Sequence, residues 1–288
     1  MSEPWTIARV LGWAQKDLAG RSSSSPRLDA ELMLAQVLDC DRVKLIVDAT
    51  RPLSPEELAA YKALHKRRRV GEPIAYLRGY REFYSRRFQV DARVLVPRPE
   101  TELLVETGLH RTRHLDLSAR VLDLCTGSGC VAITLERERP TTSVLGSDIS
   151  SAALAVARDN AHRLGARVGF FESDLFAAFP EGRWVFDLIT ANPPYVPEAD
   201  MAELPVDVRD FEPRLALAAG ADGLTVIRPL VEQAVARLAP GGVLALEVVA
   251  GGAPAVAALL ASHGYQAVEI KRDYGGHERI VSALRPAT

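Results

Sequence analysis

Along the first part of the chain, apolar residues recur three and four positions apart, the spacing of a helix with one buried face. Ile7, Val10, Leu11, Ala14 and Leu18 form one such stripe, and Gly20 follows as a stop. Ser25-Pro26 opens a second helix, with Leu28, Leu32, Ala35 and Leu38 as its expected face. Asp41 is placed to cap a short third. "SPEEL" supplies Ser54 as N-cap, Pro55 at the first helical position and Glu57 three residues after the cap, the pattern of a capping box. Leu58, Tyr61 and Leu64 line that fourth helix, and Gly71 ends it. No alternating strand pattern interrupts these segments, so a small helical bundle is expected.

From Pro73 the pattern changes. "REFYSRRFQVDARVLVPRPET" alternates polar and β-prone residues and reads as a hairpin or connector over 79–100. Beyond it, seven strand-like runs alternate with helical ones: "RVLDLCTG", "SVLGSDIS", "RVGFFESD", "FDLITANPPY", "GGVLALEV", "QAVEIKRD" and "ERIVSALR". Helices are expected at 130–138, 151–164, 223–239 and 254–263. Such alternation predicts an α/β fold with an open, mostly parallel, Rossmann-like sheet covered on both faces. The short connection before the last run makes that strand antiparallel to its neighbour. The expected organisation is a helical domain over 1–78 and an α/β domain over 79–288.

Composition narrows the partners. Charged residues make up 25% and hydrophobic ones 48% of 288 residues, the balance of a soluble globular protein. A formal net charge of −2 and a pI near 6.3 carry no overall signature of nucleic-acid binding. The start of the chain lacks a basic segment followed by an apolar run, and residues 241–261 are broken by Gly251, Gly252 and Pro254, so neither a signal peptide nor a membrane span is expected. Three cysteines without a CxxC pair suit a reducing, cytoplasmic setting. The histidines have no ligand-like spacing, so no metal is expected. A monomer is expected.

In sheets of this kind ligands sit beyond the carboxyl ends of the strands, near the switch in strand order. The groups there are Cys125, Thr126, Gly127, Ser128 and Gly129 after the first strand, Asp148 after the second, Asp174 after the third, and Asn192 to Tyr195 after the fourth. Gly127 and Gly129 allow a tight turn and a close approach of backbone to ligand. Asp148, about twenty residues on, can take both hydroxyls of a ribose. Gly127 to Ala132 also fits the dinucleotide pattern G-x-G-x-x-A, and a merely structural turn is the plain alternative. An acidic residue near the adenine and a prolyl amide loop near the reacting group favour an adenosine ligand without a pyrophosphate, such as S-adenosylmethionine (SAM).

Asn192-Pro193-Pro194-Tyr195 is a stiff, extended segment, because each proline fixes φ and restricts the residue before it. An amide or aromatic NH₂ is a poor nucleophile, since its lone pair is delocalised. A side-chain carbonyl on Asn192 can accept one of its N–H groups. A backbone carbonyl fixed between Pro193 and Pro194 can accept the other. Both bonds strengthen as nitrogen turns tetrahedral, which is what catalysis requires. Tyr195 can pack against the planar group. The plain alternative is that Asn192 caps a turn and the prolines end a strand.

"DLCTGSG", "SDIS", "ESDLF" and "ANPPY", in this order, resemble a class I SAM-dependent methyltransferase acting on planar NH₂ groups. "GEPIAYLRGYREFYSRRFQVDARVLVPRPETELLVE", "RDFEPRLALAAGADGL", "RDYGGHERIV" and "RLDAELMLA" narrow the resemblance to the release-factor glutamine methyltransferases, the HemK/PrmC family, over nearly the whole chain. The resemblance implies a helical domain that docks a peptide chain release factor and a catalytic domain that methylates N5 of the glutamine in its Gly-Gly-Gln loop. It implies that Cys125 to Gly129 line the methionine and ribose end of SAM, that Asp148 holds the ribose, and that Asp174 and Leu175 flank the adenine. It further implies that Asn192, Pro193, Pro194 and Tyr195 bind the glutamine amide, with Phe83 and Pro97-Arg98-Pro99-Glu100 bordering the pocket. Cys125 stands where the family usually has Gly. Val248-Val249-Ala250 departs from the family pattern after "LALE".

Three other classes remain open at this level. A nucleic-acid adenine N6 or guanine N2 methyltransferase uses the same chemistry, though no nucleic-acid module is recognisable here. A non-enzymatic SAM-binding scaffold would not need an intact Asn192-Pro193-Pro194-Tyr195. A dehydrogenase would need a proton donor that no motif supplies. Residues 62–98 hold eleven Lys/Arg against three acids, which reads as a solvated face or as a landing surface for an acidic partner. Cys125 and Cys130 read as packing residues.

Overall fold

The computed structural model describes residues 4–21, 23–115 and 119–286. The chain divides into two compact units, Met1–Tyr80 with Glu203–Glu212, and Arg81–Ala202 with Pro213–Thr288. The segment 203–212, which carries a short helix, clusters with the helical unit although it follows the α/β residues in sequence.

The first unit contains α1 (Ile7–Leu18), α2 (Pro26–Val37), α3 (Arg42–Val47), α4 (Pro55–Arg69) and α5 (Ile74–Arg78). The expected caps form. Asp41 accepts from Lys44 N at 2.8 Å. Ser54 Oγ accepts from Glu57 N at 3.2 Å while Glu57 Oε2 accepts from Ser54 N at 2.8 Å, closing the capping box. Ser54→Ala is therefore expected to destabilise this unit by about 1 kcal/mol, read as a lower urea midpoint with unchanged slope. Unchanged stability would mean that the cap does not hold the helix end.

Two expectations need correction here. The face that α2 buries is Asp29, Ala30, Glu31, Met33, Leu34 and Ala35, while Leu28 is 38% exposed. The cause is a buried ion pair. Asp29 Oδ2 accepts from Arg68 Nε and from Ser23 Oγ, each at 2.7 Å, and Arg68 Nη1 also donates to the carbonyls of Gly71 and Glu72. Glu31 accepts from Arg27 and Arg42 at 2.8 Å each. The helix rotates towards these partners, which an apolar stripe cannot register. For the same reason Arg68 does not belong to a solvated basic face. The second correction is α5, a helix in a stretch read as leaving helical structure; Gly79 ends it at φ +75°.

The second unit begins with β1 (Tyr80–Phe83, whose first residue falls to the helical unit) and β2 (Arg86–Gln89). These form the expected hairpin, with Tyr84 and Ser85 both at positive φ as a two-residue primed turn requires. Then follow α6 (Glu102–Arg111), β3 (Arg120–Leu124), α7 (Cys130–Glu138), β4 (Ser143–Asp148), α8 (Ser151–Leu164), β5 (Val168–Glu172) and β6 (Phe186–Ala191). After α9 (Val206–Arg209), in the segment already described, come α10 (Ile227–Ala234), β7 (Leu238–Glu247), α11 (Ala253–Ser262), β8 (Gln266–Arg272) and β9 (Glu278–Leu284).

The seven-stranded sheet has the order β5-β4-β3-β6-β7-β9-β8. β9 is antiparallel to both β7 and β8, between which it lies, and the remaining pairs are parallel. Successive side chains take opposite faces. Leu122, Leu124, Ile189, Ala191, Leu244 and Leu246 enter one core, with α10 and α11. Val121, Leu188, Val243 and Ala245 enter the other, with α6 and α7. Phe83 lies in this second core at 1% exposure, edge-on to Phe88, so it packs the interior rather than the pocket border. β3 and β6 are adjacent, with Leu124 opposite Ala191, and the chain runs outward from them in both directions. That pair is the topological switch point, and the loops after it are where a ligand should sit.

Candidate active site

The loop after β3 is built by backbone geometry. Cys125, Gly127 and Gly129 have φ of +54°, +54° and +80°. Thr126 N donates to Ser147 O at 2.9 Å, joining the loop to β4, and Gly129 N donates to Thr126 O at 2.8 Å. A Cβ on Gly129 would lie 2.9 Å from Ile133 Cδ1 and 3.2 Å from Ala157 Cβ, so this position needs glycine for space as well as for φ. Cys125 adopts a left-handed φ that glycine would adopt without strain, and burial pushes its thiol well above the ordinary range. Cys130 is likewise pushed up to about 12. Neither is a thiolate nucleophile, which agrees with packing roles.

Asp148, at the end of β4, holds the loop from the other side. Its two oxygens accept from Gly127 N and Ser150 N at 2.9 Å each. Burial raises its pKa, while these amide bonds oppose the shift. After β5, Ser173 N donates to Asp148 O at 2.9 Å and Ser173 Oγ donates to Leu175 O at 2.8 Å, holding Asp174 and Leu175 in a turn with Leu175 at φ +45°.

Beneath these loops lies a carboxyl group that motif reasoning missed. Asp123, 1% exposed, accepts from Thr126 Oγ1 at 2.6 Å and from Thr190 Oγ1 at 2.7 Å, tying the loop after β3 to β6. Burial raises its pKa to about 7. Asn160 on α8 does similar work, donating to Ser128 O and Gln89 O and accepting from Gln89 N. The signal available in the sequence was a carboxylate inside the apolar run "RVLDL".

The segment after β6 is held rigidly. Val196 N donates to Leu217 O, Ala219 N to Val196 O and Glu198 N to Gly220 O, at 2.8–2.9 Å. A Cβ on Gly223 would lie 2.6 Å from Tyr195 O, so the returning chain approaches this segment closely only because residue 223 is glycine. Asn192 Nδ2 donates to Thr101 Oγ1 at 3.4 Å. Thr101 is 2% exposed, as is Glu247 at the end of β7. Burial pushes Glu247 up to about 7 and the Tyr195 hydroxyl up to about 12.

These four loops enclose one cavity of about 210 Å³. Cys125, Thr126, Gly127, Ser128, Asp148, Asp174, Leu175, Asn192 and Pro194 are on its wall, together with Pro97, Arg98 and Thr101. Gly129, Pro193 and Tyr195 are not on the wall: Gly129 shapes the turn, Pro193 is buried and Tyr195 packs against the core. Val248-Val249-Ala250 lies off the wall as well, with Val248 buried, so that departure from the family pattern leaves the cavity untouched. The wall also includes Arg93 to Leu95 and parts of 213–218, to which the sequence assigned no role. No group of side chains able to hold a metal occurs among the described residues. No helix among them is long and apolar enough to cross a membrane.

Residues 9–79 match the family described as PrmC N-terminal domain, and residues 99–205 match Methyltransferase small domain. A release factor glutamine methyltransferase of Geobacter sulfurreducens is 43% identical over 279 residues, covering 97% of this chain and 96% of the relative. The chain belongs to the release factor glutamine methyltransferase family. A second member of that family, from Rhodopirellula baltica, is 41% identical over 288 residues, covering 97% of this chain and 96% of its own. A solved methyltransferase from Pyrococcus furiosus covers 71% of this chain and 91% of its own with a TM-score of 0.53 at 18% identity, a likeness of fold alone. Membership of the release factor glutamine methyltransferase family makes the chain a methyltransferase and disfavours the scaffold and dehydrogenase readings.

Proposed function

We propose that this protein transfers the methyl group of SAM to the side-chain amide nitrogen (N5) of the glutamine in the Gly-Gly-Gln loop of peptide chain release factors. The observation that carries the reading is the rigid Asn192-Pro193-Pro194-Tyr195 segment across the switch point from the Cys125–Gly129 loop, with Asn192 and Asp148 on one cavity wall. The names of the relatives support the substrate, and a substrate of translation puts the enzyme in the cytoplasm. Residues 1–78 serve as the docking domain and 79–288 as the catalytic domain of a monomer.

The wall fits SAM. A carboxylate has about four acceptor sites, so Asp148 can keep its two backbone bonds and still receive two ribose hydroxyls. Gly127 leaves open space where a side chain would stand. Leu175 and Ile149 offer apolar surface beside Asp174 for an adenine. When bound, SAM supplies an electrophilic methyl on a sulfonium. The chain's own residues hold and orient the acceptor. Asn192 Oδ1 and the Pro193 backbone carbonyl each accept an N–H of the glutamine amide, which localises the lone pair on nitrogen, and Tyr195, off the wall, packs the segment against the core. No general base is needed before attack, since the cationic product sheds its proton afterwards.

Asp148→Ala is expected to weaken SAM by about 2–3 kcal/mol, since charge-assisted bonds to two hydroxyls are lost. Titration calorimetry checks this, and unchanged affinity would put the ribose elsewhere. The reading as a whole is tested by incubating the protein with methyl-labelled SAM and cell extract. Label entering protein supports it, and label entering only nucleic acid sinks it.

A further inference from the structure

We propose that Asn160 is a positioning residue for the SAM cavity: it fixes the segment 90–98, which borders the cavity, against the Cys125–Gly129 loop, and so sets how tightly SAM is held. The proposal rests on the SAM reading above. Asn160 is fully buried on α8 and is not on the cavity wall. Its side chain makes three hydrogen bonds to two segments far away in sequence. Oδ1 accepts from Gln89 N at 2.7 Å, and Nδ2 donates to Gln89 O at 3.0 Å and to Ser128 O at 2.9 Å.

These partners leave the amide no choice of direction. A backbone N–H can only donate and a carbonyl can only accept, so the oxygen must face Gln89 N and the nitrogen the two carbonyls. Towards Gln89, the last residue of β2, the side chain acts as a neighbouring strand would, pairing both backbone groups. The chain after Gln89 passes this placement on. Val90 and Val94 are buried, and Val94 N donates to Asp91 O at 3.1 Å to close a turn. Leu95, Pro97 and Arg98 then follow on the cavity wall.

On the other side, Ser128 is a wall residue whose carbonyl is turned towards α8. Ala157, one turn before Asn160, also meets this loop: a Cβ on Gly129 would lie 3.2 Å from Ala157 Cβ. One face of α8 therefore supports the loop by contact at 157 and by a hydrogen bond at 160. A packing role alone does not need an amide. An apolar side chain would fill the space but would take a buried partner from Ser128 O and from both backbone groups of Gln89. With Asn160 in place the two sides of the cavity are held at one separation. Without it, ordering them falls to SAM, and affinity drops by that cost.

The experiment measures SAM affinity by titration calorimetry, and thermal unfolding without SAM, for the full chain and two variants. Asn160→Leu removes all three bonds and is expected to bind SAM about tenfold more weakly. Asn160→Asp keeps an acceptor for Gln89 N but, when ionised, sets lone pairs against two carbonyls. Burial raises the pKa of such a carboxyl, and once protonated it regains a donor for one carbonyl. Its affinity relative to wild type should be about tenfold lower at about pH 8.5 and recover about threefold or more by about pH 6. Groups common to both proteins, Asp148 on β4 and His162 on α8 among them, cancel in that ratio. Should Asn160→Leu fail to fold, the pH profile of Asn160→Asp decides alone. A lower melting temperature with wild-type SAM affinity, or an Asn160→Asp deficit that does not change with pH, would overturn the proposal and leave the SAM reading standing. A wild-type protein that binds no SAM would sink both.

Discussion

A release factor carrying glutamate in place of the glutamine of its Gly-Gly-Gln loop is expected to take up no methyl label. The inferred pocket has two acceptors, Asn192 Oδ1 and the Pro193 carbonyl, aimed at an NH₂. A carboxylate brings no donors and sets lone pairs against lone pairs. A site built to hydrogen-bond a group rejects an analogue lacking it by as much as ~10⁴–10⁵. Asparagine should also fail, because it is one methylene shorter and cannot bring its nitrogen up to the methyl. The two glycines let the loop enter without side-chain clashes. Methyl incorporation into release factors bearing Gln, Glu or Asn at that position checks this, and label in the Glu version would overturn the amide pocket.

Asn192→Ala in the enzyme should lower methyl transfer by about 10²–10³, or ~3–4 kcal/mol, the usual consequence of removing one transition-state hydrogen-bond partner. SAM affinity should change little, because the Cys125–Gly129 loop, Asp148 and the Ser173–Leu175 turn are held by bonds that do not involve Asn192. Turnover near wild type would remove Asn192 from the chemistry.

The sheet was legible because its strands are short apolar runs separated by clear helical periods, and because parallel strands direct their loops to one edge. That rule picked out the loops after β3, β4, β5 and β6, which do converge on one cavity. What stayed hidden was polar and buried. Asp29 and Arg68 turn α2 away from its apolar stripe. Asp123 sits inside an apolar strand and Thr101 in a tight turn, and each has a partner far away in sequence, Thr190 and Asn192, that no local spacing betrays. Phe83 looked like a pocket residue by resemblance and is core, because the hairpin packs it on Phe88 and the second core. Sequence order alone gave no reason to group 203–212 with the helical unit.

The most direct test of the central claim is to locate the methyl group itself. Purified protein, SAM and a purified release factor are incubated, the release factor is digested, and the modified peptide is sequenced by tandem mass spectrometry. The result expected is a single methyl on the side-chain nitrogen of the Gly-Gly-Gln glutamine, absent with Asn192→Ala enzyme. A methyl on any other residue, or an unmodified release factor alongside methylated RNA or DNA, would contradict it.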